Sequence, residues 1–183
     1  MSHLRVVTFG EADQGVLYYL ASVLYDHTGM ECAVEDLRLG LSEAYLPTRH
    51  QHHSTKLLES LKVRGPNPGE WLLAVTEADL CIPVLTFVFG EAAFDQRMAI
   101  VSLHRLRAPF YGLPEDPDLL LRRSEKEALH ELGHAAGLVH CRDYACAMAF
   151  SNSVEQVDLK ETAFCDACRT QLLTKWPRAT LKG

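Results

Sequence analysis

Three histidines and one glutamate lie close together in the segment HELGHAAGLVH, residues 130–140, with a spacing that suits one divalent metal ion. On an α-helix, residues four apart are offset by about 40° and roughly 6 Å, so His130 and His134 would present nitrogens to one ion from the same face. Glu131 lies about 100° further around, where it is a poor ligand but can reach a water molecule beside the ion. We therefore predict that Glu131 acts as a general base.

Gly137 and His140 complete this segment. Gly137 follows His134 by three residues, where a residue without Cβ can adopt the left-handed conformation that ends a helix and turns the chain. This turn would bring His140 back to the metal ion. Three neutral nitrogens leave the fourth position of a tetrahedral zinc ion open to water, which distinguishes catalytic from structural zinc sites. The full pattern HExxHxxGxxH is far more specific than HExxH alone.

Four of the six cysteines follow as a Cx4C pair and a CxxC pair, separated by eighteen residues. This spacing is more typical of a four-cysteine zinc site than of a disulfide framework. Because oxidation would compete with metal binding, it also indicates a reducing compartment. The sequence thus predicts two zinc ions per chain, one catalytic and one structural. The predicted ligands of the structural ion are Cys141, Cys146, Cys165 and Cys168.

Together these motifs resemble the archaemetzincin family, whose pattern joins HExxHxxGxxHC to a downstream Cx4CxM and a final CxxC. Met148 matches the methionine that, in metzincins generally, lies in a tight turn beneath the metal-binding histidines. Sixteen residues separate Met148 from Cys165, one fewer than the usual family spacing. The resemblance implies a zinc-dependent peptidase that acts on peptides or proteins, with Gly137 and Met148 in supporting roles. It allows aminopeptidase as well as endopeptidase action.

The resemblance also implies a fold. We expect the α/β (α+β) class, with a single compact metzincin-like domain in which a mixed, twisted sheet packs on the active-site helix. A four-cysteine zinc subsite would lie in the C-terminal part. In metzincins an extended peptide pairs with an edge strand above the metal, so the substrate is expected to bind by strand addition.

Other interpretations of these residues remain open. The histidines could form a closed or inactive zinc site, and the chain would then be a non-catalytic, zinc-stabilised module that binds peptides or proteins, its metal site blocked by a fifth ligand or an occluding loop. The presence of Glu131 favours catalysis, because a purely structural site has no use for it. The four cysteines could be ordinary buried thiols, and Met148 could be a core residue that fills a gap.

Composition and charge favour one globular domain. A chain of 183 residues with 48% apolar residues can bury one substantial core. We predict a single domain over residues 1–183, with the sheet and active-site helix in 1–140 and the structural zinc site in 141–183. The net charge of −6 gives no reason to expect nucleic acid as a partner. Without an apolar run of about 18 residues or a signal-peptide pattern, we expect no membrane partner and a cytoplasmic location; the oligomeric state stays open.

Hydrophobic periodicity predicts alternating strands and helices. Residues 4–10 (LRVVTFG) are apolar and β-branched enough for a buried strand, and the apolar residues between 16 and 24 recur at helical spacing. A second strand follows at 31–35. The leucines between 57 and 61 indicate a helix that the turn RGPNPGE ends, and WLLAV, residues 71–75, is expected to be a central strand.

The segments 86–89 and 98–103 are also β-rich, and residues 90–97 (GEAAFDQR) suit a hairpin-like connection between them. One of these two strands should lie at a sheet edge. Asp116 and Pro117 then predict the start of the helix that carries the histidines. A capping box formed by Ser124 and Glu127 would start this helix several residues later. In either case Leu129, Leu132 and Ala136 would seat the helix on the sheet.

Overall fold

The computed structural model describes residues 2–37 and 39–176. Residues 177–183, the end of the predicted C-terminal part, lie outside the described residues. The strands are β1 (His3–Phe9), β2 (Glu31–Val34), β3 (Tyr45–Leu46), β4 (Gln51–His53), β5 (Glu70–Thr76), β6 (Leu80–Ile82), β7 (Leu85–Val88), β8 (Gly90–Ala93) and β9 (Met98–Ser102). The helices are α1 (Gln14–Thr28), α2 (Ser54–Leu61), α3 (Pro117–Ala135), α4 (Val154–Leu159) and α5 (Asp166–Leu172).

The main sheet has five strands in the order β2-β1-β5-β9-β8. The first four are parallel neighbours, and β8 runs antiparallel to β9 at the edge. Strands β1, β5 and β9 are buried along most of their length, as expected of parallel strands that are covered on both faces. The predicted strand WLLAV lies within β5, the middle strand, so its central position is confirmed.

Helices cover both faces of this sheet. Successive residues of a strand point to opposite sides, so one buried strand contributes to two cores. Leu73 and Val75 of β5 pack in one core with apolar residues of α1 and α3. Leu72 and Ala74 of the same strand pack in a second core with residues of α2. The predicted helices over 16–24 and 57–61 lie within α1 and α2. A mixed sheet packed against the helix that carries the histidines confirms the predicted α/β (α+β) class.

The region from residue 86 to residue 103 differs from the prediction. We expected residues 90–97 to connect two paired strands, one of them at the sheet edge. Instead Gly90–Ala93 is itself strand β8 at the edge of the main sheet, and β7 is the edge strand of a second sheet with the order β3-β4-β6-β7. The expected edge position of one of the two strands is therefore confirmed, whereas their expected pairing is wrong. A glycine and two alanines give β8 little intrinsic preference for a strand, so its pairing is decided by tertiary contacts with β9 and α3.

The hairpin of β8 and β9 closes in a tight turn at residues 94–97. Asp95 and Arg97 adopt positive φ angles of 55° and 61° in this turn. The backbone N–H of Asp95 donates to the carbonyl of His134 at 3.1 Å, and that of Arg97 donates to the carbonyl of Ala135 at 3.0 Å. The last carbonyls of a helix have no partners within the helix. The hairpin turn therefore caps the C-terminal end of α3.

Helix α3 begins at Pro117, the earlier of the two predicted starts. The carboxylate of Asp116 accepts a hydrogen bond from the backbone N–H of Leu119 at 2.9 Å, and Pro117 occupies the first helical position. The shorter alternative, with Ser124 as the cap, is wrong. Ser124 is buried inside the helix, where its hydroxyl donates to the carbonyl of Leu120 at 2.7 Å.

The inner side of α3 packs on the main sheet as predicted. Leu129, Leu132 and Ala136 are all buried in the core shared with β5 and β9. The segment that carries the predicted ligands is therefore mounted on a rigid support. Among the described residues, no helix is both long enough and apolar enough to cross a lipid bilayer.

Gly90 tests how closely β8 approaches α3. A Cβ built on Gly90 would lie 2.6 Å from the carbonyl oxygen of Ile100 and 2.6 Å from Cγ of Glu131. We expect Gly90→Ala to separate strand and helix and to lower the free energy of unfolding by about 1–3 kcal/mol, measured by urea denaturation. Gly40→Ala is the control, since a Cβ there meets nothing within 4 Å. Equal stabilities of the two variants would contradict this packing.

Candidate active site

The three predicted histidines come together as one group. His130 and His134 project from α3, and their Nε2 atoms lie 3.1 Å apart. With His140 they form a set, here called the histidine cluster, in which each residue offers a ligand atom within 4.8 Å of the others. Among residues 2–37 and 39–176, no further His, Cys, Asp or Glu side chain joins this cluster. The cluster has the ligand types and number of a catalytic zinc site.

The turn after α3 brings His140 to the other two histidines. Gly137 has φ 93°, in the left-handed region predicted for it. Its N–H donates to the carbonyl of His134, and the N–H of Leu138 donates to the carbonyl of Gly133, both at 2.9 Å. These bonds end the helix and reverse the chain. A side chain at position 137 would be strained in this conformation.

Backbone carbonyls orient two of the imidazoles. Nδ1 of His130 lies 2.8 Å from the carbonyl oxygen of Ala147, and Nδ1 of His134 lies 2.7 Å from that of Leu138. A carbonyl can only accept, so each Nδ1 is the donor and each Nε2 keeps a free lone pair for a cation. Sequence reasoning missed both contacts, because a backbone acceptor leaves no mark in residue identity.

Glu131 is buried beside β8 and adjoins the same cleft as the histidine cluster. Burial raises the pKa of its carboxyl group well above the usual value, and the nearby carboxylate of Glu127 raises it further. The ammonium group of Lys160 acts in the opposite direction. A carboxylate with an increased proton affinity is suited to accept a proton from water.

The four predicted cysteines form a second group, here called the cysteine cluster: Cys141, Cys146, Cys165 and Cys168. Their sulfur atoms lie within 4.8 Å of one another, and all four thiols are free. The sulfurs of Cys141 and Cys165 are 3.7 Å apart, far beyond the roughly 2.05 Å of a disulfide bond. The sulfur of Cys146 also accepts backbone N–H groups from Met148 and Cys165 at 3.4 Å.

Electrostatics in the cysteine cluster favour a bound cation. Burial raises the pKa of Cys146 and of Cys168, and the neighbouring sulfurs raise both further. Burial also raises the pKa of Cys165, but hydrogen bonds with the other three cysteines outweigh burial, and the pKa of Cys165 is lowered overall. Four adjacent thiolates repel one another, so ionisation of all four requires a positive charge between them.

Met148, predicted from the resemblance to lie beneath the histidines, packs against the end of α3 that carries them. It is fully buried, and its sulfur packs directly against Gly133 of α3, so that a Cβ at Gly133 would collide with it. The chain on either side is pinned as well. The N–H of Cys141 donates to the carbonyl of Met148 at 2.9 Å, and the N–H of Ala147 donates to the carbonyl of Ala163 at 2.7 Å. Residues 147–149, here called the floor of the histidine cluster, are thus fixed in place next to α3.

A cleft of about 360 Å³ opens beside the histidine cluster. One wall consists of β7 and β8, with exposed Leu85 and Phe94 at its rim. The opposite wall consists of α3 and residues 150–152, where Phe150 packs against the ring of His140 at 5.1 Å between centroids. Sequence reasoning did not identify these walls. Aromatic residues in separate segments carry no spacing signal that would have joined them.

Known proteins match both the sequence and the fold. Residues 58–174 match peptidase family M54. The archaemetzincin of Methanocaldococcus jannaschii is 46% identical over 129 residues, which cover 70% of this chain and 70% of that protein. The crystal structure of a zinc-dependent peptidase from Methanocorpusculum labreanum matches with a TM-score of 0.83 and 29% identity, over 92% of this chain and 99% of that chain. The archaemetzincin structure from Methanopyrus kandleri matches with a TM-score of 0.82 and 35% identity, over 95% and 94%.

These similarities extend over most of the chain and include both clusters. The matched residues 58–174 contain β8, α3, the histidine cluster and the cysteine cluster. The resemblance to archaemetzincins that the motifs indicated is therefore confirmed. The chain belongs to peptidase family M54 and is a zinc metallopeptidase.

Proposed function

We propose that the chain hydrolyses peptide bonds with a zinc ion held by His130, His134 and His140 and with Glu131 as the general base. The spacing of the histidine nitrogens carries this proposal. A tetrahedral zinc ion with bonds of about 2.05 Å separates two nitrogen ligands by about 3.3 Å. The 3.1 Å between Nε2 of His130 and Nε2 of His134 is close to that value. The donor set therefore suits zinc and leaves one coordination position for a small ligand.

Glu131 would carry the proton transfers. When bound, zinc acidifies a water molecule and polarises the carbonyl group of the substrate. Glu131 accepts the proton of the attacking water and then passes it to the amine of the departing peptide. Its burial beside Gly90 excludes bulk solvent and fixes the carboxylate toward the cleft. Holding the base rigidly in its reacting position contributes a large part of the rate enhancement of peptide hydrolysis.

The edge strand β8 is the proposed site of substrate binding. Gly90–Ala93 pairs with β9 on one side and borders the cleft on the other. An extended peptide can add to a sheet edge through main-chain hydrogen bonds, which bind different sequences alike. This arrangement would lay a peptide across the cleft next to Glu131. The substrate is a peptide or protein in this proposal, and the net charge of −6 argues against nucleic acid.

The cysteine cluster would hold a second, structural zinc ion. With bonds of about 2.3 Å, tetrahedral zinc separates two sulfur ligands by about 3.8 Å. The 3.7 Å between the sulfurs of Cys141 and Cys165 agrees with this distance. The ion would clamp the segment after His140 to the segment around α5, within the predicted C-terminal part (141–183). Thiolate ligands also favour a reducing compartment, so we propose the cytoplasm as the location.

Replacing the general base tests the mechanism. We expect Glu131→Gln to bind zinc as the parent does, because the histidines are unchanged, and to lose roughly 100-fold to 10,000-fold in kcat/KM. The measurement is cleavage of a mixed peptide library by the zinc-loaded proteins. Glu59→Gln, an exposed substitution on α2, is the control and should cleave at the parental rate. Parental cleavage by Glu131→Gln would exclude the assigned role.

Removing one sulfur tests the second metal site. We expect Cys165→Ser to purify with one zinc ion fewer per chain and to melt about 5 °C or more below the parent, since a bound structural ion stabilises the fold. Elemental analysis and differential scanning calorimetry measure the two effects. Cys32→Ser is the control, because Cys32 lies in β2, outside the cluster. A metal count that stays at the parental value in Cys165→Ser would disprove the four-cysteine site.

A further inference from the structure

A buried ion pair lies next to the histidine cluster. The ammonium group of Lys160, which follows α4, is 2.8 Å from Oε1 of Glu127 on α3. The two side chains are only 1% and 3% exposed. Lys160 also reaches the carbonyl of Ala149 at 3.5 Å. Taking two charges out of water costs free energy that their mutual attraction barely repays, so such a pair adds little stability over an apolar pair of similar size.

The position of the pair suggests a role beyond stability. Glu127 precedes Glu131 by one helical turn and lines the same cleft. Ala149, the other partner of Lys160, belongs to the segment that also contains Met148 and Ala147, whose carbonyl orients His130. Lys160 thus connects α3 to the floor of the histidine cluster.

Lys160 also acts electrostatically on the cluster. Glu127, which the ammonium group contacts, lines one cleft together with all three histidines, so the charge of Lys160 is buried close to their nitrogens. A positive charge buried at that place opposes a divalent cation bound by the imidazoles. The carboxylate of Glu127, 2.8 Å from the ammonium group, offsets that repulsion.

We propose that Lys160 and Glu127 are a positioning pair for the metal centre, in which Glu127 neutralises Lys160 and thereby sets how tightly the histidine cluster holds a divalent cation. This inference rests on the proposed function, because it assumes that the histidines bind the ion. In this proposal Glu127 makes a buried ammonium group at that place compatible with a neighbouring cation.

Charge balance predicts that substitutions of Glu127 and of Lys160 have different effects on Zn²⁺ affinity. Glu127→Gln leaves the ammonium group without a counter-charge, and we expect the dissociation constant of the histidine cluster for Zn²⁺ to rise roughly tenfold. Lys160→Met removes the opposing charge, so the variant should melt at a lower temperature but bind Zn²⁺ at least as tightly as the parent. The double variant should bind within about threefold of the parent, because neither unbalanced charge remains.

Competition titrations with a chromophoric chelator measure these constants, and Co²⁺ absorption separates the nitrogen site from the thiolate site. Lys126→Met is the matched control: Lys126 lies on the same helix and bonds the carbonyl of Asp158 at 2.8 Å. It should bind Zn²⁺ as the parent does.

Three results would overturn the proposal. Both single variants could bind Zn²⁺ more weakly in proportion to their lost stability, or Glu127→Gln could bind Zn²⁺ with the parental affinity. The third is a double variant that binds Zn²⁺ as weakly as Glu127→Gln does. A parent whose histidines bind no cation would overturn the proposed function along with it. Normal binding with no peptide cleavage by the parent would refute the proposed function while the affinity ranking still decides the role of the pair.

Discussion

The last turn of α3 is held from two sides, and the geometry of the histidine cluster depends on it. Within the chain, the N–H groups of Gly137 and Leu138 bond the carbonyls of His134 and Gly133. From the sheet, the N–H of Asp95 bonds the same carbonyl of His134. A helix end with its carbonyls engaged in this way does not fray, so the chain reverses at one fixed place. The third histidine follows that reversal by only a few residues.

This constraint also links the edge strand to the helix. The hairpin turn that caps α3 joins β8 to β9, and Gly90 at the start of β8 leaves room for only the bare backbone against Glu131. The strand that borders the cleft, the buried carboxylate and the histidines therefore share one rigid frame. Such a frame would hold the proposed base and the proposed zinc ligands within the narrow tolerances that hydrolysis requires.

The two clusters are coupled through short stretches of backbone. His140 and Cys141 are consecutive, and Cys146 directly precedes Ala147, whose carbonyl accepts the Nδ1 proton of His130. The segments that carry Cys141 and Cys146 therefore also position the imidazoles of His140 and His130. Lys160, which pairs with Glu127, also reaches this floor at the carbonyl of Ala149. Neither coupling is visible in the motifs, because each runs through a main-chain carbonyl or through residues far apart in sequence.

The sequence by itself identified the family and was enough to predict the two ligand sets and the general base, because these depend on residue types at fixed local spacing. His130 and His134 fall on one helical face, and at position 137 glycine is the residue type that readily adopts the required φ of 93°. Tertiary structure alone decided the edge strand and the cleft walls. Gly90–Ala93 has no strand periodicity of its own and becomes a strand only by pairing with β9. Long-range pairing, buried charge and backbone acceptors depend on how distant segments pack, and local spacing carries no record of that packing.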